Sequence, residues 1–215
     1  MHAMTSETKA HAGYHHGDLP NALLEAVGEI VEEKGAANVS LREAARRAGV
    51  SHSAPAHHFQ DKDGMIAAYC HQGFAILGAQ MAEAFEPLAD ASPEERIAVA
   101  GATYVRFADE HRAHFDVMFR SGLQSIDIAS HDELAEQGAM NLLNGLVGEL
   151  VESGILDESD AEVFTVSLWG LAHGIASLWV DGAISKMFPD MTLDGLLGRA
   201  FGDSRLAYEA VSRGI

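Results

Sequence analysis

Residues 40–51 read Ser40-Leu41-Arg42-Glu43-Ala44-Ala45-Arg46-Arg47-Ala48-Gly49-Val50-Ser51, and the chain continues from His52 to Lys62. Ser40 and Glu43 have the spacing of a capping box, which satisfies free backbone amides at a helix start. Leu41, Ala44, Ala45 and Ala48 recur at helical spacing, and Gly49 can take the left-handed conformation that ends a helix. Ser51 is then expected to cap a second short helix. The small side chain of Ala45 lets that helix cross closely at a steep angle. These are the mechanical needs of a helix-turn-helix, which places its second helix in the major groove of duplex DNA. The stretch predicts a DNA-binding protein.

Working outward, a first helix is expected over 18–34, capped by Asp18, with Leu19, Leu23, Val27, Ile30 and Val31 as its apolar stripe. After the motif, Asp61 caps a long helix over 62–86 with Met65, Ile66, Tyr69, Cys70, Phe74, Leu77 and Met81 inward. Ser92-Pro93-Glu94-Glu95 opens another helix, with Pro in the first turn and Glu95 closing a second capping box. A short helix through Phe115 and Phe119, a polar loop over 121–130, and helices over 132–153, 159–183 and from Thr192 follow. No β-type alternation competes, so the chain is predicted to be all-α, with about nine helices. Residues 1–17 read as a flexible arm and 18–63 as a helix-turn-helix domain. Residues 64–215 read as a larger bundle. Leu23, Val27, Ile30, Leu41, Ala45, Val50 and Phe59 are the expected core of the small domain.

The 215 residues carry a net charge of −18, with 47% hydrophobic and 21% charged side chains. That composition suits a folded chain. No apolar run reads as long enough for a membrane span, and residues 1–13 lack the apolar core of a secretion signal. The single cysteine, Cys70, excludes an intrachain disulfide and a thiolate zinc cluster. A cytoplasmic location is the default expectation. The acidic balance opposes bulk attraction to DNA, but it is unevenly spread: residues 1–65 carry −3 and residues 66–215 carry −15. Arg42, Arg46, Arg47 and Lys62 all lie within the motif. Specificity would rest on placed contacts.

The N-terminal third resembles the tetracycline-repressor-like (TetR) transcriptional regulators, through Tyr14-His15-His16-Gly17-Asp18-Leu19, Ser40 to Val50, Ser51 to Phe59 and Asp61-Lys62-Asp63. Trp169-Gly170-Leu171-Ala172-His173-Gly174 is similar to the Trp-His-Gly signature of one C-terminal subclass. The resemblance implies a homodimer with DNA-reading heads, joined through the last two helices (159–183 and 192–212). It also implies a body that senses a small-molecule effector. It gives Arg42 the position of a base-reading arginine, and Arg suits the paired acceptors of guanine. His52, Ser53 and Ala54 match the reading face of the second helix, and Lys62 matches a phosphate-binding lysine. Ser40 and Ser51 can donate to phosphate, although capping alone would explain both. Where the family usually has a phosphate-binding tyrosine, this chain has Ala56. His57 is a substitute, with His58 partly supporting the core. His15 and His16 could reach a phosphate from the arm.

Trp169 and His173 lie one turn apart on a helix. With Phe74, Leu77, Met81, Tyr104, Phe107, Phe115, Met118 and Phe119 they could line an apolar cavity with few polar anchors, the usual recipe for a small-molecule site. Plain core packing is the alternative. Gly170 and Gly174 suggest close approach of another helix. None of the 12 histidines has Asp or Glu three residues before it, which disfavours a bundle di-metal site. His111 and His114 read as a solvated helix end. No catalytic constellation, metal site or cofactor motif is visible. The expected function is a repressor that binds a palindromic operator as a dimer and is released by an effector. A helical ligand-carrier or interaction protein, or a helical metalloenzyme, is the alternative.

Overall fold

The computed structural model describes residues 19–119 and 133–202, with backbone only for 133–137. The arm, Asp18, His15, His16, the 121–130 loop and the tail of the last helix lie outside the described residues. Ten α-helices and no strand occur among the described residues. They are α1 (Leu19–Lys34), α2 (Leu41–Arg47), α3 (Ala54–Phe59), α4 (Lys62–Phe85), α5 (Pro93–Glu110), α6 (Arg112–Phe119), α7 (Glu133–Glu152), α8 (Ala161–Val180), α9 (Ala183–Met187) and α10 (Leu193–Ala200). The helix expected over 159–183 ends at Val180, just before Gly182, and the short α9, not expected from sequence, follows it.

Each start has a local chemical cause. Ser40 Oγ accepts from the Glu43 amide over 3.2 Å. Glu43 does not close the expected box; its carboxylate turns to Lys34, Arg46 and Arg47, whose charges compete for it. Gly49 has φ +67°, as the turn requires. The cap expected at Ser51 is absent: α3 begins at Ala54, with Ser53 preceding it and making no side-chain cap bond. Pro55 has no amide to give the Ser51 carbonyl, and a turn closed by the Ala54 amide on that carbonyl (3.0 Å) comes first. By contrast, Ser92 and Glu95 form a full capping box on α5. Thr192 caps α10 through the Gly195 amide.

A single buried cluster runs from Leu23, Val27 and Ile30 of α1 through the inward face of α4 to Phe107, Phe115, Ala176 and Phe201. All seven apolar residues expected to face inward on α4 are buried. Because α6 packs directly on α1 as well as α4, the core under the helix-turn-helix is continuous with that of the bundle. Leu41, Val50 and Phe59 only flank this core, and His58 is exposed; the short α2 and α3 cover its edge. Contrary to the sequence expectation, one helix (Glu158–Val180) is long and apolar enough by length and composition to cross a membrane. Glycines and a histidine interrupt its sequence without adding formal charge.

Candidate nucleic-acid interface and effector core

Buried Ala44 and Ala45 on α2 and buried Pro55 on α3 turn the motif's inner faces to the core. Ser40, Arg42, Ser51, His52, Ser53 and His57 are all exposed, with Ala54 half-buried. His52 and Ser53 stand in the turn ahead of α3 rather than inside a helix, and the Ser51 and Ser53 hydroxyl oxygens lie 3.3 Å apart. These candidate DNA-binding residues are therefore open to solvent, Ala54 only in part. Half-buried Lys62 stands at the start of α4, where its Nζ donates to the Ala37 carbonyl over 3.2 Å, in the turn between α1 and α2.

The motif's other cations are committed internally. Arg47, with a side chain only 10% exposed, donates to Glu29 and Glu33 of α1 and to Glu43. Arg46 pairs with Glu43 over 2.8 Å. Hydrogen bonds from Arg46, then Arg47 and Lys34, hold the Glu43 carboxyl far below the usual carboxylate range. Arg42 has no carboxylate within ion-pair distance among the described residues and faces solvent. Sequence counted four motif cations; in the structure Arg46 and Arg47 pair with carboxylates, whereas no ion pair to Arg42 or Lys62 occurs among the described residues.

Deeper in the molecule, the Tyr104 hydroxyl lies 2.9 Å from His173 Nδ1. Burial pushes the Tyr104 phenol well above its ordinary value, so its O–H can donate to that nitrogen. The rings of Phe115, Phe119 and Trp169 lie 5.5, 5.4 and 6.0 Å from His173. Phe74 reaches the group edge-on through Phe119. Of the candidate ligand residues, Phe74, Tyr104, Trp169 and His173 thus come together. Leu77, Met81, Phe107 and Met118 belong to the same hydrophobic core without joining this ring cluster. Phe107 instead faces His111 at 5.3 Å.

Sequence reading missed Tyr69 and His114 as a pair. His114 on α6 stacks on Tyr69 of α4 at 4.1 Å and 11°. Its Nδ1 lies 3.4 Å from the Tyr69 hydroxyl and its Nε2 lies 3.2 Å from Gln72 Oε1. Burial, then the nearby His111, pushes the imidazole down to about 4. His114 is therefore a packed contact between helices, which corrects its assignment to a solvated helix end. Among the described residues no group of three or more His, Cys, Asp or Glu could hold a metal.

The outer face of α8 is apolar and exposed among the described residues. Val163, Val166, Leu178 and Trp169 are 67%, 63%, 52% and 40% exposed. Side chains added at Gly170 or Gly174 would meet open space, so no described helix of this chain makes the close approach that their spacing suggested.

Residues 23–69 match the family described as bacterial regulatory proteins, tetR family. Residues 97–199 match a tetracyclin repressor-like, C-terminal domain. The chain is 28% identical over 184 residues to the HTH-type transcriptional regulator BetI of Escherichia coli (strain K12), covering 83% of this chain and 89% of that one. A solved protein of unknown function from Rhodococcus sp. RHA1 is 30% identical, with a TM-score of 0.71 and coverage of 92% of this chain and 97% of that one. The fold is also similar to that of the TetR family transcriptional regulator PfmR from Thermus thermophilus, at 21% identity and a TM-score of 0.62, covering 90% of this chain and 98% of that one.

Proposed function

The chain belongs to the tetR family of bacterial regulatory proteins and is a DNA-binding transcriptional regulator; from that premise we propose that it is a dimeric repressor released from a pseudo-palindromic operator by a small effector. The observation that carries this reading is the exposure of Arg42, His52 and Ser53 in a helix-turn-helix whose Ala44, Ala45 and Pro55 are buried. Residues 18–63 are the reading head and 64–215 the sensing and pairing body. Arg42, His52, Ser53 and Ala54 read base edges. Ser40, Ser51, His57 and Lys62 hold phosphates.

The second copy covers the apolar face of α8, where Val163, Val166 and Leu178 lose water and Gly170 and Gly174 admit the partner helix closely. The same pairing accounts for a helix apolar enough to span a membrane. Two heads then meet successive major grooves, roughly 34 Å apart along the duplex. The effector replaces part of the packing around Tyr104 and His173. It binds better to the arrangement whose heads are wrongly spaced, which shifts the population away from DNA. Trp169, His173 and Gly174 support assigning the body to a Trp-His-Gly subclass.

Selection of bound duplexes from a random library tests the reading. A two-fold-related motif, bound with a steep salt dependence, is the expected result. Enrichment of no sequence at any salt concentration would defeat it.

A further inference from the structure

Between the reading helix and α4 the backbone takes a form that side chains disfavour. Gln60 has φ 66° and ψ −62°, the only positive φ at a non-glycine among the described residues. The Asp61 amide donates across it to the Phe59 carbonyl over 2.8 Å. A bond between residues two apart, around a centre of positive φ, makes the rare and strained form of the γ-turn. Such strain persists where the surroundings over-determine it, and it gathers at functional positions.

The surroundings here are specific. Gln60's own amide donates to the Ala56 carbonyl over 3.1 Å, closing α3. Asp61 Oδ1 accepts from the Gly64 amide over 2.9 Å, fixing the first turn of α4. Gly64 leaves room for the Phe59 carbonyl, because a β-carbon there would overlap that oxygen. Lys62 is tied to the α1–α2 turn at Ala37. The strained residue is thus clamped on both sides, while its side chain is exposed and has no packing role.

We propose that Gln60 is a positioning residue for DNA reading: its γ-turn, clamped by Phe59, Asp61 and Gly64, sets the angle at which α3 leaves α4. Helix α3 has only six residues, so its own hydrogen bonds cannot hold that angle, and the turn must. A β-carbon disfavours positive φ at position 60, and glycine removes that penalty. Glycine therefore relieves strain and keeps the turn, whereas a β-branched side chain drives position 60 toward negative φ and leaves α3 at the fitting angle for only a fraction of the time. Apparent affinity falls by that fraction. This rests on the DNA-binding reading above.

The test uses the full chain and the duplex that the wild type selects. Gln60→Val should weaken duplex binding by roughly five- to tenfold at a temperature where it remains folded, with an unchanged salt slope. Gln60→Gly should raise the thermal midpoint and bind within about twofold of wild type, because the backbone rather than the amide side chain matters. Equal binding by the folded valine variant, or a lowered midpoint or weakened binding in the glycine variant, overturns the proposal alone. A wild type that selects no duplex overturns the DNA-binding reading and this inference together.

Discussion

Arg42 and Arg47 lie five residues apart on one short helix, yet they have opposite fates. Arg47 is enclosed by three carboxylates, whereas Arg42 points into water. The spacing explains the difference, since Arg47 falls on the side of α2 facing Glu29 and Glu33 of α1. A paired guanidinium cannot also grip a base without abandoning its carboxylates. Arg42→Ala should therefore relax base preference at one operator position, by about 1–3 kcal/mol of discrimination. Lys62→Ala should weaken all duplexes alike and flatten the salt slope by about one unit. Titrations against single-base operator variants at several salt concentrations separate the two; equal losses on every sequence would remove the base-reading role of Arg42.

Helix α6 is the element with two different faces. His114 faces Tyr69 and Gln72 on α4, while Phe115 and Phe119 face Tyr104 and His173. A shift of this helix, which also touches α1, would be felt at both the ring cluster around His173 and the helix-turn-helix. Its histidine also carries a pH signature. An unfolded histidine titrates near ~6.5, whereas buried His114 titrates at about 4, so the unfolded chain binds more protons between those values. The stabilisation from a neutral, stacked His114 is complete above the unfolded value and is lost as pH falls toward about 4. Thermal melts from pH 7 to 4 should therefore fall more steeply for wild type than for His114→Phe, which keeps a ring but cannot titrate. Parallel curves would show that this imidazole is not the group responsible.

For the whole molecule, the decisive surface is the exposed stripe on α8. Exposed apolar side chains of this size and continuity mark an interaction site more often than bare solvent contact. Val166→Glu combined with Leu178→Glu places two charges where a partner helix would have to desolvate them. Sedimentation should show the variant as a monomer while the parent is a dimer. Operator affinity should fall by about two orders of magnitude or more once two heads no longer bind as a unit. A variant that stays dimeric moves the pairing surface elsewhere.

Ser40, Gly49, Asp61 and the Ser92–Glu95 box made the helix starts and the turn legible in the linear chain, because caps and positive-φ turns are settled by residues within about four positions. The inward stripe of α4 was legible for the same reason, through its period. The start of α3 was misread because the missing amide of Pro55 outweighed the capping tendency of Ser51. Gly182 marked the end of α8, but the short α9 beyond it is too brief for an apolar period to announce it. Neither the capture of Arg47, nor the Tyr69–His114 stack, nor the strain at Gln60 could be read along the chain. Two depend on partners 14 to 45 residues away, and the third on a close approach between successive helices. Local rules wrote the elements; which charges are paired and which rings meet was settled only by how the folded helices compete for one another.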